Sequence, residues 1–176
     1  MTGRAAAAGP AKSVNADLSM SAEARARMRH TEKDVYEYYD DMGPGKGNCT
    51  WGAGILAHLR PCTKEELGRK VSPAEVDAAF SRRVADAERA VRRNVSRQAL
   101  NQAQFDALVS LTYNAGATGS RGTYKLVDGG DFKGAAANIG KMTLVTVNGK
   151  KGVAKGLILR RAEESAPFRS VETANK

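Results

Sequence analysis

The chain has 176 residues, of which 41% are hydrophobic and 27% are charged. This composition is typical of a soluble globular protein and excludes a disordered chain or one that spans a membrane. The length allows one domain, or two small lobes that share a helix. The formal net charge of +9 indicates an anionic partner, and the charge alone leaves open nucleic acid, a phospholipid surface or an acidic cell-wall polymer.

The first 22 residues are predicted to form a flexible arm, and residues 23–176 a folded domain. Within the arm, the apolar run at residues 5–8 is too short for the core of a secretion signal. We therefore expect that something other than a cleaved signal peptide delivers the protein if it acts outside the cytoplasm.

A short helix and a small sheet are predicted next. A helix over residues 23–33 places Glu32 at its carboxyl end. Three tyrosines within residues 36–39 indicate a strand, and the glycines within residues 43–47 indicate a loop. A second strand is expected over residues 49–56, so that the two strands form a small hairpin.

Two helix starts follow this hairpin. Thr63 and Glu66 have the spacing of a capping box for a short helix. Ser72, Pro73 and Glu75 combine an N-cap, a proline at the first helical position and an acid that closes the box. Apolar residues then recur every three or four positions up to residue 95, which predicts a long amphipathic helix.

The other face of this long helix is rich in arginine. Because Asp86 and Glu88 lie among these arginines, we expect a solvated face, and the alternative is a nucleic-acid patch. The arginines are Arg82, Arg83, Arg89, Arg92 and Arg93.

The last third of the chain predicts three helices and a hairpin. They are a helix that starts at Asn101 and Gln104 and ends at Gly116, an alanine-rich helix from Asp131 through Ile139, a hairpin with its turn at Asn148-Gly149, and a last helix after Gly156.

Cys49 and Cys62 are the only cysteines. Two alternatives remain open from the residues themselves: reduced thiols, or a disulfide behind the glycine-rich turn at residues 50–54. A disulfide over so short a loop would contribute about 3 kcal/mol at most. No metal site is predicted, because these cysteines with His30 and His58 do not form a recognisable ligand spacing.

Two carboxylates and a hydroxyl lie close to this glycine-rich turn. Eight residues separate Glu32 from Asp41, and Thr50 follows shortly after. A carboxylic acid can protonate the leaving oxygen of a glycosidic bond, while a carboxylate and a hydroxyl bind and orient a water molecule on the other side of the sugar ring. The pair alone is weak evidence in a chain with 19 acidic residues. The glycines add to it because they let the backbone approach a ligand closely.

Four blocks of sequence, in this order, resemble the phage-type lysozymes of glycoside hydrolase family 24. The blocks are residues 32–41, Thr50-Trp51-Gly52-Ala53-Gly54, the run from Gln104-Phe105-Asp106-Ala107-Leu108 to Tyr113-Asn114-Ala115-Gly116, and Gly156-Leu157-Ile158-Leu159-Arg160-Arg161. The resemblance covers about residues 26–169. It implies an α+β fold in which a small antiparallel β-sheet lobe and a larger helical lobe are joined by the long helix, with a cleft between the lobes.

The resemblance also implies roles for individual residues. Glu32 is expected to be the general acid, Asp41 the second carboxylate and Thr50 the residue that helps to place the attacking water, while Asp40 is the rival for the second role. One of the two arginines Arg160 and Arg161 is expected near Glu32, and the sequence does not say which. The expected substrate contacts are Leu56, Tyr113, Thr123 and Asn138.

Three positions depart from the family pattern, and one feature agrees with it. Lys33 replaces a glycine, Ile55 replaces a histidine that normally follows the turn, and the loop between Asp41 and Thr50 is longer than in the shortest members. The replacement of the histidine by Ile55 removes a side chain that would support the cleft. Some members carry paired cysteines with a histidine near the second, which favours a disulfide between Cys49 and Cys62.

The expected function is that of a peptidoglycan hydrolase that cleaves the β-1,4 bond between N-acetylmuramic acid and N-acetylglucosamine and so lyses bacterial cell walls. Glu32 is expected to be protonated in a partly apolar setting, and Asp41 to be ionised in a wetter one. Whether the anomer is inverted or retained stays open. The alternatives are a wall-binding module without turnover and a basic nucleic-acid-binding protein.

The remaining expectations concern partners and location. Peptidoglycan is the expected partner, and we expect no cofactor, no metal, no nucleic acid, no stable membrane insertion and a monomer. The protein is expected to be made in the cytoplasm and to act in the periplasm, delivered by phage lysis machinery or by a secretion system.

Overall fold

The computed structural model describes residues 13–32, 35–147 and 150–169. Over these residues it confirms the predicted α+β fold, with a small antiparallel sheet and a larger helical lobe. The elements in chain order are α1 (Ala22–Thr31), β1 (Val35–Asp40), β2 (Cys49–Gly52), β3 (Ile55–His58), α2 (Lys64–Leu67), α3 (Pro73–Asn94), α4 (Gln102–Gly119), α5 (Arg121–Asp128), α6 (Phe132–Lys141), β4 (Leu144–Val147), β5 (Lys150–Val153) and α7 (Lys155–Arg169).

The small lobe contains a three-stranded antiparallel sheet in the order β1-β2-β3. The single strand expected over residues 49–56 is in fact two strands, because the chain reverses at Ala53 and Gly54. Gly52 and Gly54 have φ angles of +57° and +69°, which residues with a Cβ atom rarely adopt. The two glycines therefore permit the reversal, and β2 pairs with both neighbouring strands.

The long helix α3 connects the two lobes. Its start has the predicted capping box, in which Ser72 and Glu75 each bond to the backbone of the other, with Pro73 at the first helical position. Val76, in the first turn, lies against Gly52 of β2, while later turns pack on α4. Each fully buried valine of this stripe stabilises the fold by about 1.5–3 kcal/mol relative to an exposed one.

The arginine face of α3 is only partly solvated. Arg82, Arg89 and Arg93 are exposed as predicted. Arg83 instead donates to the carbonyl oxygens of Gly54 and Tyr113, and Arg92 donates to that of Leu18. The prediction was wrong for these two arginines, because their partners are backbone carbonyls distant in the sequence.

Residues 13–22 belong to the packed structure. Asn15 is 1% exposed, its amide nitrogen donates to the carbonyls of Val95 and Gln98, and its amide oxygen accepts from the Leu100 N–H. Met20 belongs to the main hydrophobic core. A flexible arm therefore does not describe residues 13–22, while residues 1–12 lie outside the described part of the chain.

The helical lobe follows most of the predicted pattern. Gly116 interrupts α4 with φ +73° and ψ 164°, so that the regular helix ends where the sequence predicts. The helix α5 was not predicted. The caps of α4 and α6 at Asn101 and Asp131 are confirmed, and β4 pairs with β5 in antiparallel register. The expected turn at Asn148-Gly149 lies outside the described residues.

None of the helices in the described segments is long and apolar enough to cross a membrane.

Candidate active site

Glu32 is the residue that ends α1. Its N–H bonds to the Met28 carbonyl at 3.0 Å, while its own backbone has already left the helical conformation. The other end of α1 is fixed by Ser21, whose hydroxyl and N–H both donate to the carboxylate of Asp106 in α4. With both ends of the helix held, the Glu32 side chain is 18% exposed and lies at the surface between the lobes.

Arg160 is the arginine that contacts Glu32. Its Nη1 atom donates to Oε1 of Glu32 at 2.7 Å. Burial lowers the pKa of Arg160, but the hydrogen bond and the charge of Glu32, together with those of Glu164, raise the pKa above its ordinary value. The Arg160 guanidinium is therefore charged at neutral pH.

Arg161 does not contact the acid directly, so its expected role beside Glu32 needs correction. It is buried, donates to the Met142 carbonyl at 2.9 Å, and pairs with Glu164 and with the amide oxygen of Asn114. Glu164 also accepts from Arg160, so that it joins the two arginines. Glu164 was not among the expected site residues, although its spacing of three and four residues from the arginines places all three on one helix face.

The turn at Ala53 and Gly54 lies directly against the acid. A Cβ atom at Gly54 would lie 3.1 Å from Oε2 of Glu32. Two side chains hold the turn from the helical lobe: the Tyr113 hydroxyl donates to the Ala53 carbonyl at 2.8 Å, and Arg83 donates to the Gly54 carbonyl at 2.8 Å. The turn is therefore fixed against the carboxyl by hydrogen bonds that span the two lobes.

Tyr113 is 2% exposed, so its place in this structure is to support the turn, not to present a surface for substrate. Burial raises the pKa of Tyr113 to about 12, with Arg83 lowering it and the charge of Glu32 raising it. A hydroxyl with so high a pKa stays a hydrogen-bond donor to the Ala53 carbonyl throughout the physiological range.

The neighbouring aspartates have different partners. The Asp40 carboxylate accepts from the N–H groups of Gly45 and Cys62 at 2.6 and 2.7 Å, and so holds the loop to the chain beyond the sheet. The exposed Asp41 accepts from Asn48, through the backbone N–H at 2.8 Å and the amide nitrogen at 3.1 Å. Asp40 therefore has a structural place, and Asp41 keeps a carboxylate that solvent can reach.

One row of side chains crosses the sheet next to these acids. Tyr39 is opposite Thr50 in the register of β1 and β2, and Thr50 is opposite Leu56 in that of β2 and β3, so the three share one face. Burial, then the charge of Glu32 and then that of Asp41, raises the pKa of the Tyr39 hydroxyl. Tyr39 is therefore close enough to both carboxylates to be affected by each.

The other two members of the row differ in exposure. Thr50 is buried, and its hydroxyl lies 3.5 Å from the Asn48 carbonyl, which is long for a hydrogen bond. Leu56 is 45% exposed. The row thus combines a buried, weakly engaged hydroxyl with an accessible apolar side chain on one face of the sheet.

Thr123 and Asn138 are brought together by α5 and α6. The buried Thr123 hydroxyl donates to the amide oxygen of Asn138 at 2.9 Å, and Asn138 is half-buried. This contact orients the Asn138 amide. The contact of either residue with substrate stays a prediction.

Cys49 and Cys62 form a disulfide, with their Cα atoms 4.5 Å apart, which confirms the pairing favoured by the family resemblance. His58 and Glu66 lie beside it, and Nε2 of His58 is 2.9 Å from Oε1 of Glu66. The possible ligand atoms of Cys49, His58 and Glu66 lie within 4.8 Å of one another. Metal ligation by cysteine needs a free thiolate, and the Cys49 sulfur is bonded to Cys62, so the cluster fits a structural role.

Comparison with known proteins identifies the family. The Phage lysozyme family model matches residues 29–164. The chain therefore belongs to the phage lysozyme family.

Three similar proteins have related names. An endolysin of Acyrthosiphon pisum secondary endosymbiont phage 1 is 41% identical over 73 residues, which is 40% of this chain and about half the length of that protein. The solved endolysin from Escherichia coli O157:H7 phage FAHEc1 is 27% identical with a TM-score of 0.70, and the match covers 88% of this chain and 95% of the other. The muramidase domain of SpmX from Asticaccaulis excentricus is 26% identical with a TM-score of 0.66, covering 85% and 97% of the two chains.

Proposed function

We propose that this protein is a peptidoglycan hydrolase that cleaves the β-1,4 bond between N-acetylmuramic acid and N-acetylglucosamine. The observation that carries the proposal is the setting of Glu32. Its carboxyl is partly exposed, paired with Arg160 and bounded by the Gly54 turn, and its charge acts on Tyr39 together with that of Asp41. Membership of the phage lysozyme family supports the same conclusion.

Glu32 has the role of general acid in this proposal. Arg160 donates to the Glu32 carboxyl at 2.7 Å, and a sugar ring over Glu32 excludes water from it. The acid then protonates the glycosidic oxygen, and the bond to the leaving sugar breaks as positive charge develops at the anomeric carbon.

Asp41 and Thr50 act on the opposite side of the bond. Asp41 is the second carboxylate in this proposal, and it is exposed and oriented by two hydrogen bonds from Asn48. Thr50, with its hydroxyl only weakly engaged, orients the water that attacks the anomeric carbon. Asp40 is a poorer candidate for this work, because it is less exposed than Asp41 and its two oxygens hold the loop at Gly45 to the chain at Cys62.

Substrate binding uses the surfaces on either side of these residues. The exposed Leu56 gives an apolar contact for a sugar face, and the Asn138 amide, oriented by Thr123, gives a polar one. Tyr113 acts indirectly by holding the turn. The net charge of +9 increases the rate of encounter with an anionic cell wall.

We also propose that the protein is a monomer and works in the periplasm. Phage lysis machinery or a secretion system delivers it there. The disulfide supports an oxidising place of action, because such bonds persist outside the reducing cytosol.

The test is product analysis after digestion of purified peptidoglycan. We expect muropeptides whose reducing ends are N-acetylmuramic acid. Reducing ends on N-acetylglucosamine would show cleavage of the other glycosidic bond. Firm binding without release of reducing ends would favour a wall-binding module, and both results would contradict the proposal.

A further inference from the structure

Glu164, in the last helix, is a buried carboxylate with more than one cationic partner. It is 4% exposed, and Arg160 Nε donates to its Oε1 atom at 3.1 Å. Arg161 Nη1 donates to its Oε2 atom at 2.5 Å, and the Ser110 hydroxyl donates to Oε1 at 2.7 Å. Both carboxylate oxygens are therefore occupied, and the residue is held by contacts within α7 and to α4.

This carboxylate belongs to a row of four alternating charges. The row runs from Glu32 through Arg160 and Glu164 to Arg161. Its inner end is anchored, because Arg161 also bonds to the Asn114 amide oxygen in α4 and to the Met142 carbonyl after α6. Glu32, at the outer end, is the most exposed of the four side chains, and exposure falls to a few per cent at Glu164 and Arg161.

The geometry of a guanidinium makes the Glu164 contact directional. The group is planar and rigid, so a bond at Nε fixes the directions of both terminal nitrogens. With Nε held by Glu164 and Nη2 at 3.4 Å from the Ser110 carbonyl, Nη1 points at Glu32. Arg160 is mostly buried, with 13% of its side chain exposed, and these three contacts set its orientation.

Glu164 also places a negative charge beside Arg160. Because electrostatic potentials add, that charge partly cancels the positive potential of the guanidinium at Glu32. An acid that must hold a proton in the reaction benefits from this balance.

We propose that Glu164 is a positioning residue for the hydrolysis: it orients Arg160 and balances its charge so that Glu32 can take up the proton it donates. This inference rests on the proposed function of Glu32. Glu164 touches no reacting atom, and it acts through Arg160.

The test compares Glu164→Gln with Glu163→Gln in release of reducing ends across a range of pH. Glutamine keeps the shape and an oxygen acceptor but removes the charge. We expect the kcat of Glu164→Gln to fall by about tenfold or more, with KM little changed. The alkaline limb of its pH profile should move to lower pH, because the negative charge that partly cancels the potential of Arg160 at Glu32 is then absent. Glu163 is the exposed neighbour on the same helix, so its variant should behave as the wild type.

A conservative variant separates charge from stability. Glu164→Asp keeps the charge on a shorter side chain, and we expect a lowered kcat with the alkaline limb in its wild-type position. An unchanged kcat and limb in a folded Glu164→Gln would overturn the proposal. If Glu164→Gln does not fold, full kcat in Glu164→Asp would overturn it.

The same assay on Glu32→Gln distinguishes a failure of the positioning role of Glu164 from a failure of the proposed function of Glu32. If Glu32→Gln is inactive while Glu164→Gln is like the wild type, only the positioning role fails. If Glu32→Gln remains active, the proposed function of Glu32 fails and the positioning role fails with it.

Discussion

Gly54 and Glu32 are so close that a Cβ atom on the glycine would lie 3.1 Å from the Oε2 atom of the acid. Contacts of this kind are tighter than ordinary van der Waals packing, so any side chain at position 54 must displace the carboxyl or the turn. The φ angle of +69° at Gly54 adds a second reason for glycine. The glycine-rich turn thus shapes the space around the proposed acid.

Replacement of Gly54 by alanine should reduce activity well beyond its effect on stability. The backbone strain costs about 1–2 kcal/mol, and the displaced carboxyl lowers kcat/KM by about 10- to 100-fold. Gly45→Ala is the matched control, because Gly45 has a φ angle of +68° and open space around its Cβ position. Thermal melts should show similar losses for both variants, and equal losses of activity would contradict a special place for Gly54.

The two aspartates should respond differently to replacement by asparagine. Asp41→Asn should keep the fold and lose about 100-fold or more in kcat, because an amide cannot serve as a base. Asp40→Asn should lose about 1–3 kcal/mol of stability, since it removes the charge from an acceptor of two backbone N–H groups. Denaturant unfolding beside peptidoglycan digestion measures both. A folded but inactive Asp40→Asn with an active Asp41→Asn would transfer the role to Asp40.

Removal of the Tyr113 hydroxyl should affect both stability and turnover. Tyr113→Phe leaves the Ala53 carbonyl without its donor, which costs about 1–3 kcal/mol and loosens the turn beside Glu32. Tyr124→Phe is the comparison, because Tyr124 is also buried but bonds to Thr112 within the helical lobe. Stability should fall in both variants and kcat/KM only in the first. Full activity in Tyr113→Phe would show that the turn does not need this bond.

The disulfide should stabilise the small lobe measurably. Cys49 and Cys62 are 13 positions apart, and closure of so short a loop contributes about 3 kcal/mol. Reduction, or replacement of both cysteines by serine, should therefore lower the Tm by roughly 6–12 °C for a chain of this size. The serine variant serves as the control, since reductant should not change its Tm. A wild-type Tm that does not change when reductant is added would show that the disulfide does not contribute to stability.

Local signals in the sequence predict the helix starts well. The capping boxes at Thr63, Ser72 and Asn101 depend on residues three positions apart, so each can be recognised without knowledge of the fold. The helix α5 was missed for the same reason. Its N-cap Ser120 makes no side-chain capping bond, and the helix follows α4 directly, so neither a capping residue nor a loop marks its start in the sequence.

The candidate residues of the site could be predicted from the sequence, but the contacts between their side chains could not. The resemblance supplied Glu32, Asp41 and Thr50 as candidates, and their roles stay a proposal. The pairing of Glu32 with Arg160 joins positions 128 residues apart, and no local pattern distinguishes Arg160 from Arg161. The hydrogen bonds of Arg83 to backbone carbonyls likewise could not be predicted, because every residue carries a carbonyl and only the fold determines which one is the partner.

The most direct test of the account is the rate at which Glu32→Gln releases reducing ends from peptidoglycan, beside Glu23→Gln as an exposed control on the same helix. We predict that Glu32→Gln still folds and binds peptidoglycan but loses about 10²- to 10⁴-fold in rate, while Glu23→Gln keeps the wild-type rate. Release of reducing ends by Glu32→Gln at near the wild-type rate would contradict the assignment of Glu32 as the acid.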